Sequence, residues 1–193
     1  MEQIHSRPMT GRTVLVTGST SGIGKATAQG LARMGTHLAI TGRDPEATEG
    51  AAREIRAAGG GQVDAFVADL SSQSEVRRLA REVLQSRPRI DVLVNNVGGY
   101  WNTRHVTADG LEHTFVLHHL APFLLTNLLL ERLKESAPTR VVTVVFLLLG
   151  CRDRRTATSR EHEVRLDHRA FRLRGSGPSN TGARPSRLRI WRK

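Results

Sequence analysis

Up to about residue 150 the sequence alternates short β-branched runs with longer runs of helical period, and few folds accommodate that rhythm. "TVLVTG" (13–18), "THLAITG" (36–42), "GQVDAFVADL" (61–70), "IDVLVNN" (90–96) and "TRVVTVVF" (139–146) read as five strands. Helices are predicted between them: Gly22 to Met34, about Pro45 to Ala58, "SSQSEVRRLAREVLQS" (71–86) behind a serine cap, and a long apolar helix from about Asp109 to Lys134. Strands alternating with helices imply an α/β fold in which both faces of a parallel sheet are covered. At 193 residues the chain is read as one domain over residues 11–150, preceded by an arm at 1–10 and followed by a tail at 151–193.

Between the first strand and the first helix lies "TGSTSGIG" (17–24), where a Rossmann-type doubly wound fold places its phosphate loop. Gly18 allows the sharp turn, Gly22 lets backbone approach a pyrophosphate, and Gly24 permits close packing of helix on strand. Ser19, Thr20 and Ser21 offer hydroxyl donors, and the first amides of the helix, beginning beside Ile23, face the anion. A P-loop is excluded because Ser19 stands where its first glycine belongs and Ala26 follows Lys25 where Ser or Thr is needed.

"TGSTSGIG", "ADLSS" (68–72) and "NNVGG" (95–99) resemble, in order and spacing, the signature of the short-chain dehydrogenases/reductases. "HTFVLHHLAPFLLT" (113–126) is similar to the retinol-dehydrogenase-like and protochlorophyllide-reductase-like branch, and the resemblance covers about residues 10–145. It implies hydride transfer between a nicotinamide cofactor and a small-molecule carbonyl or alcohol. Gly18 to Gly24 would hold the pyrophosphate, Asp69 and Leu70 the adenine, and Asn95, Val97 and Gly98 the cofactor ribose, with Asn95 also bracing the sheet. At the end of strand two, Arg43 can fork onto a 2′-phosphate, whereas neighbouring Asp44 could serve ribose hydroxyls. NADP is the expected cofactor, ahead of NAD.

The catalytic positions depart from the family pattern. A tyrosine, a lysine four residues later, a serine at the end of strand five and an asparagine on the long helix are implied. Tyr100 is the only tyrosine and is followed four positions later by Arg104; Val145 and Phe146 occupy the serine positions; His118 stands at the asparagine. No catalytic residue is therefore assigned, although His118 could in principle relay a proton. His113 lies five and six residues from His118 and His119, about 140° and 120° around a regular helix, so no metal site is expected from the three. Cys151, the only cysteine, carries no assigned role.

Composition changes after Leu149. Residues 1–150 carry sixteen Lys/Arg against fourteen Asp/Glu, and residues 151–193 thirteen against four, so the net charge of +11 belongs mostly to the tail. That segment is rich in Arg, Ser, Gly and Pro, has no sustained period, and is expected to be disordered. The sheet is then truncated after strand five, whose uncharged "VVTVVFLLL" becomes an exposed edge. A reading-frame change at about Val145 in a GC-rich gene explains the break, and predicts that another frame encodes the serine pair and Tyr-x-x-x-Lys. The alternative is a non-catalytic dinucleotide-binding protein with a basic nucleic-acid-binding arm, but the arginines are isolated and nucleic acid is not the expected partner. The family implies a homo-oligomer, an expectation weakened here by the missing partner helix. With no apolar leader, one cysteine and an apolar run far short of the ~20 residues of a membrane span, a cytoplasmic chain without a span is expected.

Overall fold

The computed structural model describes residues 9–59 and 61–147, and the backbone of 158–166. Five parallel strands, β1 (Thr13–Val16), β2 (His37–Gly42), β3 (Val63–Val67), β4 (Val92–Asn95) and β5 (Thr139–Leu147), lie in the order β3-β2-β1-β4-β5. The strand order reverses between β1 and β4, which pair in register from Val14 with Val92 to Val16 with Val94. The connections on either side of that point leave toward opposite faces, which opens a crevice beyond the carboxyl ends of the two strands.

Residue alternation along the strands sorts the core into two layers. Val14, Val16, Leu38, Ile40 and Val94 face α1 (Gly22–Arg33) and α2 (Pro45–Gly59), which meet them with Ala28, Ala32, Ala52 and Ile55. Leu15, Ala39 and Leu93 face the other way, against α3 (Gln73–Ser86) with its buried Val76, Leu79, Ala80 and Val83, and against the long helical segment with Leu117, Leu125, Leu129 and Leu133. Each strand of β1, β2 and β4 is thus apolar on both faces, as a covered parallel sheet requires.

The predicted serine cap of α3 is different in the structure. The Ser72 hydroxyl makes no cap and pairs with Ser74 Oγ at 2.9 Å, while the Gln73 amide donates to Asp109 Oδ2 at 2.8 Å. A carboxylate from the loop before the next helix has taken the position, a favourable one beside the positive helix end.

The long apolar helix is also interrupted. It begins at His113 as α4 (His113–Phe115), with the Glu112 side chain accepting from the Thr114 and Phe115 amides, and passes through a π-helical turn (Val116–Leu120). It continues as α5 (Ala121–Leu128) and α6 (Leu130–Glu135). Pro122 explains the wide turn, because it has no N–H for the His118 carbonyl and its ring would collide with that carbonyl in a regular helix.

β5 is not the edge of the sheet. Thr158–Leu166, within the expected aperiodic tail, form β6, which pairs antiparallel with β5 along its whole length, from Thr139 with Leu166 to Leu147 with Thr158. Ten sequence positions separate the two strands, fewer than the dozen or more of a parallel crossover, so β6 must return antiparallel. Its sequence includes Arg160, Glu161, Glu163 and Arg165, the charged composition that protects a sheet edge from pairing with another chain. The expected arm lies outside the described residues except Met9 and Thr10, as does the rest of the tail with Cys151. Among the described residues no helix is long and apolar enough to cross a membrane.

Candidate functional site

The turn from β1 to α1 forms one wall of a crevice of about 430 Å³ at the switch point. Gly22 has φ +56°, a left-handed conformation that favours glycine, and none of the described residues lies within 4 Å of the position a Cβ would take. Gly24 is glycine for a different reason: a Cβ there would run into the Gly18 carbonyl and Asn96 Nδ2. The amides of Gly22, Ile23 and Gly24 have no carbonyl four residues earlier within α1 and form its positive end.

Thr17 and Asn96 hold this turn against the loop after β4. Thr17 Oγ1 accepts from the Asn96 amide at 2.9 Å and the Val97 amide at 3.2 Å and donates to the Val94 carbonyl at 3.3 Å. Asn96 Nδ2 donates to the carbonyls of Thr17 and Gly18, at 3.0 and 3.1 Å. Neither residue was singled out from sequence; the signal that could have found Asn96 is a second side-chain amide in "NN", facing the opposite way from Asn95 by the strand's period.

The crevice gathers Gly18, Thr20, Ser21, Gly22, Ile23 and Gly24 from the turn, Arg43 from the end of β2, Asp69 and Leu70 from the end of β3, and Val97 and Gly98 from the end of β4. Two expected members stand apart. Ser19 is fully buried, its hydroxyl donating to the Val16 carbonyl at 2.6 Å, so it offers no donor to the crevice; this corrects the reading of all three turn hydroxyls as available. Asn95 lines a neighbouring pocket instead: Nδ2 donates to Thr126 Oγ1 at 3.2 Å, bracing β4 on α5, and Oδ1 is buried without a partner among the described residues. Asp69 Oδ1 accepts from the Ser71 amide at 2.9 Å, which fixes its carboxylate at the crevice rim. Lys25 pairs with Glu54 at 2.6 Å across α1 and α2, so its charge is engaged there.

At the end of β2, Asp44 Oδ1 accepts from the Ala47 amide at 2.7 Å and caps α2, leaving exposed Arg43 as the side chain at that strand end which lines the crevice. Gly42 is buried under Thr20 and Thr48, where a Cβ would collide with both side chains.

The inner pocket, about 160 Å³, is lined by Asn95, Asn96, Gly98, His118, Thr143 and Val145, among others. His118 Nε2 accepts from the Gly99 amide at 3.0 Å. Val145 brings a hydrocarbon surface to the end of β5; of Phe146 only the backbone is described. Tyr100 is 74% exposed and lines neither cavity.

His113 and His118 do not face apart, as a regular helix would place them. The π-helical turn hydrogen-bonds residues five apart and brings the two to one side, where both rings meet Trp101 edge-on, at 4.4 and 6.3 Å between centroids. His119 faces elsewhere, stacked between Phe115 and Phe123. Trp101, also unremarked in the sequence, lines the crevice and packs against Gly99.

Residues 12–146 match the profile of the short chain dehydrogenase family. Retinol dehydrogenase 13 of Homo sapiens is 43% identical over 135 residues, which is 69% of this chain and 41% of that protein. The RhlG/NADP active-site complex of Pseudomonas aeruginosa superposes with a TM-score of 0.64 at 36% identity, covering 72% of this chain and 56% of that one. L-Sorbose reductase from Gluconobacter frateurii, complexed with NADPH and L-sorbose, gives a TM-score of 0.61 at 26% identity over 67% of this chain and 50% of that one. The chain spans less than half the length of the curated relatives it matches. A matching profile over β1 to β5, with the glycine-rich turn at the reversal of a parallel sheet, makes this chain a member of the short-chain dehydrogenase family.

Proposed function

We propose that the crevice holds NADP, and that the chain descends from an NADP-dependent oxidoreductase acting on a small carbonyl or alcohol while itself lacking hydride-transfer turnover. The observation that carries this reading is the convergence of the turn Gly18–Gly24 with Asp69, Leu70, Val97 and Gly98 around one cavity. A pyrophosphate fits against the first turn of α1, where Gly22 and Gly24 keep the approach free of Cβ atoms. Asp69 accepts the adenine amino group, Leu70 flanks the ring, and Val97 and Gly98 wall the ribose next to the nicotinamide. Asn95 braces the base of that region from the inner pocket.

NADP is preferred over NAD because Asp44 is engaged in capping α2 and Arg43 is free to fork onto a 2′-phosphate. The solved relatives include NADP and NADPH complexes and also an NADH-dependent reductase, so the preference is carried by Arg43 and Asp44 alone. A bound nicotinamide supplies a hydride donor or acceptor; turnover further requires a group that gives or takes the substrate's proton. Val145 has no hydroxyl to orient a substrate oxygen, His118 is bonded to Gly99, and Tyr100 is 74% exposed and lines neither cavity. The retinol dehydrogenase and L-sorbose reductase among the relatives frame the substrate class of the ancestor as an alcohol or its carbonyl.

The same proposal includes a frame change near Val145, since the hydroxyl and Tyr-x-x-x-Lys disappear where the composition changes, and a cytoplasmic location. Sequencing the coding DNA across the codons for Thr143 to Arg155 tests the frame change. A single inserted or deleted base there supports it, and an intact frame removes it. Activity is tested with purified protein of confirmed mass: NADP-dependent oxidation or reduction of any retinoid or ketose overturns the inactive reading.

A further inference from the structure

The Gly99 amide requires a lone pair on His118 Nε2, because a backbone N–H only donates. The imidazole is therefore neutral in this arrangement, with its proton on Nδ1. The Gly98 backbone packs against the same ring edge: a Cβ on Gly98 would come within 3.2 Å of Nε2. Gly98 in turn lines both the crevice and the inner pocket. We propose that His118 is a positioning residue, whose neutral imidazole fixes the Gly98–Gly99 wall against which the cofactor is seated. The inference rests on the cofactor reading above and deepens it, since it ties occupancy of the crevice to one protonation state.

The π-helical turn is what makes the contact possible, by turning His118 toward the loop after β4. A proton on Nε2 would set two donors against each other and release Gly99. The inner pocket on one side of the ring is lined by apolar and neutral polar groups, and the contact itself is open to solvent. The titratable neighbours are His113 beyond Trp101, and His105, 6.3 Å from His113; on its own turn His119 stacks between Phe115 and Phe123. Losing one hydrogen bond of ordinary strength weakens seating about five-fold. Asparagine also offers an acceptor, but gains no proton across the histidine range.

The test follows the Gly99 amide by ¹⁵N-glycine NMR and NADP affinity by calorimetry between pH 5 and pH 8.5, in the full chain and in His118→Asn and His118→Gln. The 2′-phosphate of NADP titrates alike in every case and cancels in the comparison. The expected result is a Gly99 signal that titrates in the full chain and not in the variants, with an additional affinity loss of about five-fold at pH 5 confined to the histidine protein. Identical pH profiles of signal and affinity in all three proteins would overturn the proposal. A titrating Gly99 signal without NADP binding at any pH would overturn the cofactor reading while upholding the His118–Gly99 contact, so the two failures are distinct.

Discussion

Gly24 shows how little room the turn between β1 and α1 leaves. With the Gly18 carbonyl and Asn96 Nδ2 against the place of its missing Cβ, Gly24→Ala is expected to destabilise the fold by about 1–3 kcal/mol and to abolish NADP binding, checked by chemical denaturation and titration. Arg43→Ala is expected to weaken NADP at least about ten-fold, from the loss of a charged contact, and to leave NAD affinity unchanged. The glycines were legible because their spacing between a strand and a helix has one economical physical reading. Hydrogen-bond partners were not: Ser19 and Asp44 are the right types for ligand contacts, yet their bonds go to the Val16 carbonyl and the Ala47 amide. Such choices depend on local backbone path, which residue type does not determine.

The five parallel strands and the helices covering them were visible in the period of their apolar residues; β1 to β4 fall within the expected segments, and β5 runs one residue past its own, to Leu147. What periodicity could not show is how elements are ended and joined. The cap of α3 arrives from 36 positions downstream, so Asp109→Ala is expected to cost about 1 kcal/mol while Ser72→Ala changes stability little, as urea melts of the two variants would show. The opposite ranking would restore the serine cap. The π-helical turn was equally hidden, because the apolar period over 109–134 does not register the backbone donor that Pro122 lacks. That omission also misplaced His113 relative to His118.

At the scale of the molecule, Asp91 clamps the end of the sheet remote from the crevice. It is 3% exposed, accepts from the Thr13 amide at 2.9 Å, and pairs with Arg12 at 2.6 Å and Arg89 at 2.8 Å. Burial raises its pKa, but the Thr13 amide and the two guanidiniums outweigh that and hold it below the usual carboxylate range. Because the folded value is the lower one, the stabilisation is present above the unfolded carboxylate's pKa of about 4 and disappears as pH falls through the folded value. Asp91→Asn is accordingly expected to lose about 2 kcal/mol at pH 7, with the difference from the parent shrinking in acid, measured by denaturation at both pH values. The antiparallel return of β6 was not legible, since its nine residues lack an apolar alternation and their pairing is imposed by β5. Removing residues 148–193 is expected to expose β5 and promote aggregation, measurable by light scattering.

The central claim is that the crevice at the β1–β4 switch point is a dinucleotide site that prefers NADP. Calorimetric titration of the full chain with NADP and with NAD tests it most directly. The account predicts one NADP bound per chain and NAD at least about ten-fold weaker, a difference erased by Arg43→Ala; a folded chain that binds neither dinucleotide would contradict it.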